Sequence, residues 1–362
     1  RDVKKIILHD YFETADGGGK LSLVLARGLG ADLAYGFKSP RHPFFEDGFP
    51  GREIDLSCRS NLPLVRQFRL ARAFERRTGF LADYGAAVYS GSYAPLAALS
   101  GSAGTNVLYC HTPPRFLYDQ REHFFSLLPA WQRPALAAFL AWFKPRYEAA
   151  VARMDVIVAN SENVRGRIRE FLGRDAQVVH PPCETEKLAW LGQSDFYLSA
   201  ARLDSLKRVD LIVEAFSHMP GKRLIVISDG PERRRLERMA RGRENIEIRG
   251  LVSDSQYREL MGECIATIYI PRDEDFGMTP VDSMAAGKPV IGVAEGGLTE
   301  TVIDGETGIL LRGETSPAAL IEAVNSMSAD RAALMRAACE NRAARFDSSV
   351  FISCISDVIS NL

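Results

Sequence analysis

The sequence lacks several features that would place the protein in a specialised class. Its six cysteines are scattered along 362 residues, with no CxxC pair and no histidine cluster at metal-ligand spacing, so neither a disulfide framework nor a zinc site is expected. A formal net charge of -1 argues against a dedicated nucleic-acid binder, because phosphate backbones require a basic surface. No secretory leader and no run of about 20 apolar residues is apparent. We therefore expect a cytoplasmic enzyme.

What the chain does contain is an alternation of short apolar strands and helical patterns, which is typical of doubly wound parallel sheets. The predicted strands cover residues 5–9, 86–91, 106–111, 155–161 and 177–181, then 196–201, 223–228, 245–250, 264–270 and 288–293. Between 182 and 194 no clean period is found. We predict an α/β protein with two Rossmann-like domains, residues 1–188 and 189–345, and a C-terminal helix within 346–362 that packs back on the first domain.

The segment PRDEDFGMTPVDSMAAGKP, residues 271–289, carries two carboxylates, Glu274 and Asp282, around a Phe-Gly turn. It lies between a predicted strand and a predicted helix. In open α/β sheets, ligands bind at the carboxyl ends of strands, where helix N-termini offer unpaired N–H groups. Two carboxylates there accept hydrogen bonds from vicinal hydroxyls, which suits a sugar or a ribose. A helix-capping acid and a solvated loop charge are the simpler alternatives.

Two cations, Arg202 and Lys207, occur in ARLDSLKRVDLIVEAF, where a strand is predicted to end and a helix to start near Lys207. Cations at the positive end of a helix dipole are unfavourable unless an anion is present. A diphosphate would relieve that repulsion and accept hydrogen bonds from both side chains. A pair of solvated surface cations is the alternative interpretation.

Two glycine-rich junctions and one histidine complete the candidate residues. Gly296-Gly297 follows a predicted strand, and Asp16-Gly17-Gly18-Gly19-Lys20 follows the first strand and opens a helix. Glycines at such junctions allow backbone N–H groups to approach a phosphate, although plain turns fit equally well. His111 ends a predicted strand before Thr-Pro-Pro, a position suited to a substrate contact or to a histidine bonded by nearby backbone.

Taken in order, the segments ARLDSLK, SDGPE, EDFGMTPVD and GGLTETVIDGETGIL resemble the nucleotide-sugar-binding domain of the retaining glycosyltransferases of the GT-B fold, family GT4. Together they span about residues 195–311. The first half matches less closely, through its glycine loop, NSE at 160–162 and HPP at 180–182. The resemblance implies a GT-B architecture, two Rossmann-like domains with doubly wound parallel sheets facing a central cleft.

The resemblance also implies roles for individual residues. Glu274 would hold hydroxyls of the donor sugar, Asp282 the ribose, and His111 the transferred sugar, while Arg202 and Lys207 would neutralise the departing diphosphate. The remaining donor-binding residues implied are Gly18, Gly19, Leu251, Phe276, Gly277, Met278 and Gly297. The chain departs from the family at Asp282, where a glutamate is usual, and this affects the expected contact with ribose.

The triplet Asp273-Glu274-Asp275 also spells DxD, the metal motif of the other major glycosyltransferase fold. That fold would use Mg²⁺ or Mn²⁺ on the diphosphate. The FGMTP sequence that follows matches the metal-independent family instead, and Arg202 and Lys207 already supply positive charge. We therefore expect a metal-independent reaction with a nucleotide sugar as co-substrate and no other cofactor.

The run YCHTPPRFLYD, residues 109–119, resembles bacterial mannosyltransferases that build O-antigen and other surface polysaccharides. This resemblance implies GDP-mannose as donor and a lipid-linked or oligosaccharide acceptor, with a UDP-sugar as the alternative donor. Residues 62–77 and 124–143 combine basic with apolar residues, so peripheral contact with the inner membrane is expected unless they are domain core with a solvated face. A Rossmann oxidoreductase lacks its dinucleotide fingerprint here, whereas a non-catalytic nucleotide-sugar sensor stays open.

Overall fold

The computed structural model describes residues 3–14, 16–46 and 48–362. The chain divides into two compact units, one of residues 1–180 with 351–362 and one of residues 181–350. The boundaries lie several residues from those predicted at 188 and 345. The start and end of the second unit are joined by backbone bonds, because Cys183 donates to the Phe346 carbonyl at 2.7 Å and accepts from Ser348 at 3.1 Å.

The first unit contains a parallel sheet in which short strands alternate with helices. Its elements are β1 (Lys5–His9), α1 (Gly17–Gly28), β2 (Asp32–Tyr35), β3 (Glu53–Asp55), α2 (Pro63–Arg76), β4 (Ala86–Ser90), β5 (Thr105–Cys110), α3 (Arg121–Ser126), α4 (Arg133–Ala152), β6 (Val156–Ala159), α5 (Glu162–Leu172) and β7 (Gln177–Val178). Within the described residues the strand order is β3-β2-β1-β4-β5-β6-β7, and neighbouring strands pair in parallel.

The second unit repeats this construction with β8 (Phe196–Ser199), α6 (Val209–Ser217), β9 (Arg223–Ile227), α7 (Arg233–Ala240), β10 (Ile246–Gly250), α8 (Asp254–Glu263), β11 (Thr267–Tyr269), α9 (Met278–Ala285), β12 (Val290–Val293), α10 (Leu298–Thr301), β13 (Gly308–Leu311), α11 (Pro317–Ser326), α12 (Ala329–Leu334) and α13 (Arg336–Ala343). The last helix, α14 (Ser348–Ser360), returns to the first unit. The order of the second sheet, over the part of the chain described, is β10-β9-β8-β11-β12-β13, again parallel.

Side chains of successive strand residues enter opposite cores, as the period of two requires. In the first unit, Ile6 and Leu8 pack in the core that holds α2 and α4, whereas Ile7 packs with α1 and with Phe351 and Ile355 of α14. Helices therefore cover both faces of the sheet, which explains the nearly continuous apolar strands. Helix α14 begins after Asp347, whose carboxylate accepts a hydrogen bond from the Ser349 N–H at 2.9 Å.

Candidate functional site

The acidic motif and the two cations lie at one edge of the second sheet. Strands β8 and β11 are neighbours, and from this pair β9 and β10 extend to one side while β12 and β13 extend to the other. Such a reversal of strand order opens a crevice at the carboxyl ends, where ligands bind in doubly wound folds. Arg202 and Lys207 follow β8, and Glu274 follows β11. The topology thus brings together residues that are 67 positions apart in the sequence.

Lys207 and Glu274 form an ion pair at this edge. The Lys207 Nζ lies 2.5 Å from Glu274 Oε2 and donates a second hydrogen bond to the Tyr269 hydroxyl at 3.2 Å. The two charged side chains are 21% and 19% exposed, respectively, so the pair is shielded yet open to a ligand. Burial, and next the Glu274 carboxylate, raise the pKa of Tyr269 well above its usual value, and Tyr269 remains a neutral phenol.

The loop before α6 differs from the helix start predicted near Lys207. Residues Ser205–Lys207 form a single 3-10 turn, and Arg208 adopts a left-handed φ of 52° before α6 begins at Val209. The Asp204 carboxylate accepts from the backbone N–H groups of Leu206 at 3.0 Å and Lys207 at 3.2 Å. The sequence suggested that a diphosphate would offset the positive charge of Arg202 and Lys207. In the structure, two carboxylates of the protein, Asp204 and Glu274, already lie beside Lys207 and offset part of that charge. Arg202 is exposed.

Arg208, which sequence reasoning did not single out, fixes the loop that carries Glu274. Its guanidinium donates to the carbonyl oxygens of Ile270 and Pro271, each at 2.7 Å. It also lies 3.4 Å from the Glu295 carboxylate. Because the chain turns away from β11 at Pro271, these two bonds hold the start of the acidic motif against the loop that carries Lys207.

Asp282 lies inside α9, and protein groups contact both of its carboxylate oxygens. The Tyr257 hydroxyl donates to Oδ2 at 2.8 Å, and the Cys183 thiol donates to Oδ1 at 3.2 Å. Tyr257 is held as a neutral phenol, since burial and then the Asp282 charge raise its pKa well above the usual value. A ribose bound by Asp282 would share its oxygens with these groups.

Three glycines shape the loops around the site. Gly277 precedes α9 at a φ of 92°, a conformation that costs an L-residue about 1–2 kcal/mol. A Cβ on Gly297 would lie 2.4 Å from the Phe276 Cα, and a Cβ on Gly230 of the SDGPE segment would lie 2.3 Å from the Leu203 carbonyl oxygen. The Gly297 N–H donates to the Glu274 carbonyl at 2.9 Å. Gly297 thus positions the acidic loop directly, and its N–H is already bonded.

The remaining predicted donor residues occupy different settings. Leu251 follows β10 and is 74% exposed, whereas the Phe276 side chain is buried at 2%. Met278 is the first residue of α9. The structure therefore leaves the Leu251 side chain open for contact and commits the Phe276 ring to packing, including an edge contact with Phe346 at 5.5 Å.

In the first unit, His111 directly follows β5, which pairs with β4 next to the strand-order reversal between β1 and β4. Its Nε2 is 2.8 Å from the Ser90 hydroxyl, and Ser90 is 3.0 Å from the hydroxyl of Ser22 on α1. Ser22 in turn lies 3.0 Å from His9 Nδ1 and donates to the Gly18 carbonyl at 2.9 Å. Burial lowers the pKa of both histidines to about 4, so both are neutral near pH 7.

The glycine run opens helix α1, as the sequence pattern predicted. Residues 17–19 form the first turn of α1, and the Asp16 carboxylate accepts from the Gly19 N–H at 2.7 Å. A Cβ on Gly18 would lie 3.6 Å from His9 and 3.8 Å from His111 Nε2, while one on Gly19 would lie 3.2 Å from Phe12. The small residues thus give the backbone room beside two histidines.

The sequence analysis did not identify five residues that contact the candidate residues: Tyr269, Arg208, Tyr257, Ser22 and Ser90. Only Tyr269 carried a usable signal, because it ends the strand that precedes the acidic motif.

Among the described residues, no group of three His, Cys, Asp or Glu side chains converges as a metal site. Likewise, none of the described helices combines the length and apolar character needed to cross a membrane.

Comparison with known proteins gives a matching family model and several relatives. The family model for glycosyl transferases group 1 matches residues 182–346. An uncharacterized glycosyltransferase of Methanocaldococcus jannaschii is 30% identical over 45% of this chain and 47% of its own length. The human alpha-1,3/1,6-mannosyltransferase ALG2 is 24% identical over 60% and 58%, and a D-inositol 3-phosphate glycosyltransferase of Xylanimonas cellulosilytica is 27% identical over 54% of each. The chain spans about half the length of these curated relatives.

Solved structures resemble nearly the whole chain. Anabaena HepE in complex with UDP and glucose superposes with a TM-score of 0.75 at 16% identity, covering 99% of this chain and 100% of HepE. The lipopolysaccharide outer core galactosyltransferase WaaB gives 0.70 at 14% identity, covering 99% and 100%. At such identities the likeness concerns the fold. It confirms the predicted GT-B architecture of two parallel-sheet α/β domains.

Proposed function

We propose that this chain, a GT-B glycosyltransferase of group 1, moves a hexose from a nucleoside diphosphate to an acceptor hydroxyl with retention at the anomeric carbon. The observation that carries the proposal is the Lys207–Glu274 pair at the strand-order reversal of the second sheet. A cation and a carboxylate at one such edge match the two ends of a diphospho-sugar, because one end is anionic and the other is rich in hydroxyls.

Each residue of the pair has its own task in this proposal. Lys207, with the exposed Arg202, neutralises the diphosphate as its negative charge grows during departure. Glu274 accepts hydrogen bonds from sugar hydroxyls, and Asp282 accepts from the ribose beside Tyr257. Since Lys207 already contacts Glu274 at 2.5 Å, a bound diphosphate oxygen would share or replace Glu274 as the partner of the ammonium group.

Charge stabilisation is the main contribution that these residues offer. Preorganised cations at the position where charge develops lower the barrier, and the loss of one such group typically costs about 10²–10³ in rate. We further propose that the acceptor attacks from the face of the departing phosphate, which takes up the acceptor proton. His111 would contact the transferred sugar, and Gly18 and Gly19 would border the phosphates.

GDP-mannose is the donor we propose first. Several relatives are named mannosyltransferases, which supports a mannosyl donor, and the exposed Leu251 follows β10 where a base would lie. A UDP-hexose is the second candidate, supported by the HepE complexes with UDP and UDP-glucose. We expect donor binding to be independent of divalent metal, since Lys207 and Arg202 supply the positive charge.

A lipid-linked or oligosaccharide acceptor in bacterial surface polysaccharide synthesis is the acceptor we propose. Exposed apolar side chains of the first unit include Phe68 at 47%, on the segment 62–77 that contains five arginines, and Trp131 at 77%, two residues before Arg133. Basic and apolar groups together suit the headgroup region of an anionic membrane. Co-sedimentation with anionic vesicles, lost in the double variant Phe68→Ser and Trp131→Ser, would support peripheral membrane contact. Equal sedimentation of the variant would refute it.

A transfer assay with GDP-mannose and UDP-glucose, with and without EDTA, tests the proposed function. Glu274→Ala should abolish transfer while circular dichroism and thermal unfolding stay those of the parent. Glu259→Ala, which removes an exposed acid of α8, is the matched control and should retain activity. Unchanged transfer by Glu274→Ala would overturn the site. Nucleotide-sugar binding without turnover on any acceptor would instead indicate a sensor, and a requirement for divalent metal would contradict the charge assignment.

A further inference from the structure

Asp282 is a half-buried carboxylate in a stretch of the second unit that is otherwise buried. All other residues from 280 to 293 are buried, and Asp282 is the fifth residue of α9. A carboxylate in this setting can accept hydrogen bonds from two vicinal hydroxyls, because each of its oxygens carries lone pairs. The last torsion of an aspartate side chain is broad, so the two oxygens keep one direction only if partners hold them.

The first partner is the Tyr257 hydroxyl, which reaches Asp282 from the neighbouring helix α8. It donates to Asp282 Oδ2 at 2.8 Å. The start of α8 is itself fixed, because Ser253 and Gln256 form a capping box with bonds of 3.2 and 3.0 Å. A phenol has one proton to donate, and here the carboxylate receives it. Tyr257 therefore holds Asp282 and has no proton left to donate to a ligand.

The second partner is the thiol of Cys183, a buried residue of the segment before β8, which donates to Asp282 Oδ1 at 3.2 Å. The backbone N–H of Cys183 donates to the Phe346 carbonyl at 2.7 Å, and its carbonyl accepts from the N–H and the hydroxyl of Ser348 at 3.1 and 3.2 Å. Because both backbone groups of Cys183 are bonded, the thiol cannot move away from the carboxylate without breaking these contacts.

We propose that Tyr257 and Cys183 are positioning residues that fix the Asp282 carboxylate for the two ribose hydroxyls. They thereby determine how strongly the donor site prefers a ribonucleotide to a deoxyribonucleotide. One donor bonds each carboxylate oxygen, so a rotation of the carboxylate would break both bonds. Hydrogen bonds from ribose hydroxyls depend on the direction of those oxygens. The contact between Asp282 and ribose rests on the proposed function, whereas the two bonds that hold the carboxylate are properties of the fold.

This role differs from that of a residue that only stabilises the packing of α8 against α9. Loosened packing would weaken the binding of every nucleotide to a similar extent. A misdirected Asp282 carboxylate would weaken only ligands that carry the ribose hydroxyls, because the diphosphate and the base make their contacts elsewhere. A comparison of a ribonucleotide with its 2′,3′-dideoxy analogue therefore separates the two roles.

Titration calorimetry of the full chain with GDP or UDP, and with the matching 2′,3′-dideoxynucleoside diphosphate, tests the proposal. The parent should bind the ribonucleotide at least about tenfold more tightly, because the analogue loses two hydrogen bonds to a charged group. Tyr257→Phe should weaken binding of the ribonucleotide by about three- to tenfold, the effect of one hydrogen bond, and leave the affinity for the analogue unchanged. Tyr84→Phe removes a bond of 2.7 Å to the Asp32 carboxylate in the first unit and, as the matched control, should preserve both affinities.

Variants of Cys183 provide a second, independent test. Cys183→Ala should reduce the preference for the ribonucleotide, whereas Cys183→Ser, whose hydroxyl can donate the same bond, should retain most of it. In the transfer assay, Tyr257→Phe should raise the donor KM more than it lowers kcat, because the ribose lies away from the bond that breaks. Thermal unfolding of each variant establishes that it is folded.

Three results would overturn the inference. They are an equal loss of affinity for ribonucleotide and analogue in a folded Tyr257→Phe, an unaltered preference in both Tyr257→Phe and Cys183→Ala, and a parent that binds the two nucleotides equally. The last result, in a protein that transfers sugar, would leave the proposed function standing. A parent that prefers the ribonucleotide but transfers no sugar would support the inference and remove the catalytic function, and a parent that binds no nucleotide would refute both.

Discussion

The two units of this chain have the same topology but opposite chemistry at the same place. In each, a parallel sheet reverses its strand order, at β1 and β4 in the first unit and at β8 and β11 in the second. The second unit places an ion pair of Lys207 and Glu274 at that edge, whereas the first places two serines between two neutral histidines. The shared strand-order reversal therefore carries charged side chains in one unit and neutral hydrogen-bonding side chains in the other.

The difference has a physical basis in burial. The Lys207 and Glu274 side chains keep about a fifth of their surface exposed, which is enough for solvent or a ligand to stabilise charge. His9 is buried and His111 is half-buried, and the loss of solvation at both lowers their pKa values to about 4, so both are neutral near pH 7. A charged ligand group is therefore better matched by the Lys207–Glu274 pair than by the neutral histidines.

The largest effect is expected from removing the cation of the second unit. Lys207→Met should lower transfer by about 10²–10³, the usual cost of one group that stabilises developing charge. Lys207→Arg should retain part of the activity. Lys222→Met, a lysine on the turn before β9, is the matched control. Steady-state kinetics would measure the transfer rate of all three variants. Equal rates for the parent and Lys207→Met would mean that the cation of the second unit does not stabilise the departing diphosphate.

The neutral histidines of the first unit predict a pH dependence of stability. Their folded-state pKa values of about 4 lie below the usual 6.5, so the unfolded chain binds more protons between these values. The free energy of unfolding should therefore fall as pH falls from 6.5 towards 4, by at most about 1.4 kcal/mol per pH unit for each histidine. His111→Gln should reduce this slope in denaturant titrations. An unaltered slope in His111→Gln would indicate that folding does not lower the pKa of His111.

Glycine-to-alanine substitutions should cost different amounts of stability in the two units, because the glycines differ in backbone conformation. Gly277→Ala in the second unit places a side chain at a φ of 92° and should cost about 1–2 kcal/mol. Gly18→Ala in the first unit meets only ordinary contacts at 3.6 and 3.8 Å and should be neutral or slightly stabilising in a helix. Gly221→Ala, with open space around it, is the control. Chemical denaturation would measure the differences, and a tolerated Gly277→Ala would contradict the assignment.

The smallest effect concerns the ion pair itself. Glu274→Gln removes the carboxylate that competes with a diphosphate for Lys207. Because a partly exposed ion pair is worth about 1 kcal/mol or less, affinity for a free nucleoside diphosphate should rise by up to about fivefold, while sugar transfer falls. Titration calorimetry and the transfer assay together would detect this divergence. A parallel loss of binding and transfer would mean that Glu274 does not compete for Lys207.

Much of the fold was predictable from local pattern, while the contacts at the sites were not. Strand β1 was predicted with its observed bounds, and the other predicted strands overlap β4 to β12. Strand β3 was missed because its residues, EID, form no apolar run, and β13 was missed because it lies in the segment interpreted as a glycine-rich turn; β2 was also missed. The candidate residues Lys207 and Glu274 were found from their motifs. Ser22, Ser90 and Tyr257 act through partners distant in sequence, so no local pattern indicates them.

Asp282 stands where the family usually has a glutamate, and the structure shows which protein groups contact its carboxylate. The shorter carboxylate was expected to change the contact with ribose. In the fold, Asp282 is instead bonded by the hydroxyl of Tyr257 and the thiol of Cys183. These partners orient the carboxylate without the extra methylene of a glutamate, because they approach it from α8 and from the segment that precedes β8.

The central claim is that the carboxyl edge of the second sheet binds a nucleoside diphosphate through Lys207 without metal. Titration calorimetry of GDP and UDP into the full chain in the presence of EDTA tests it most directly, with Lys207→Met and Lys222→Met measured in parallel. The account predicts binding of at least one nucleotide that EDTA does not change, that Lys207→Met weakens about tenfold or more, and that Lys222→Met preserves. Equal affinity in parent and Lys207→Met, or binding only with a divalent cation, would contradict it.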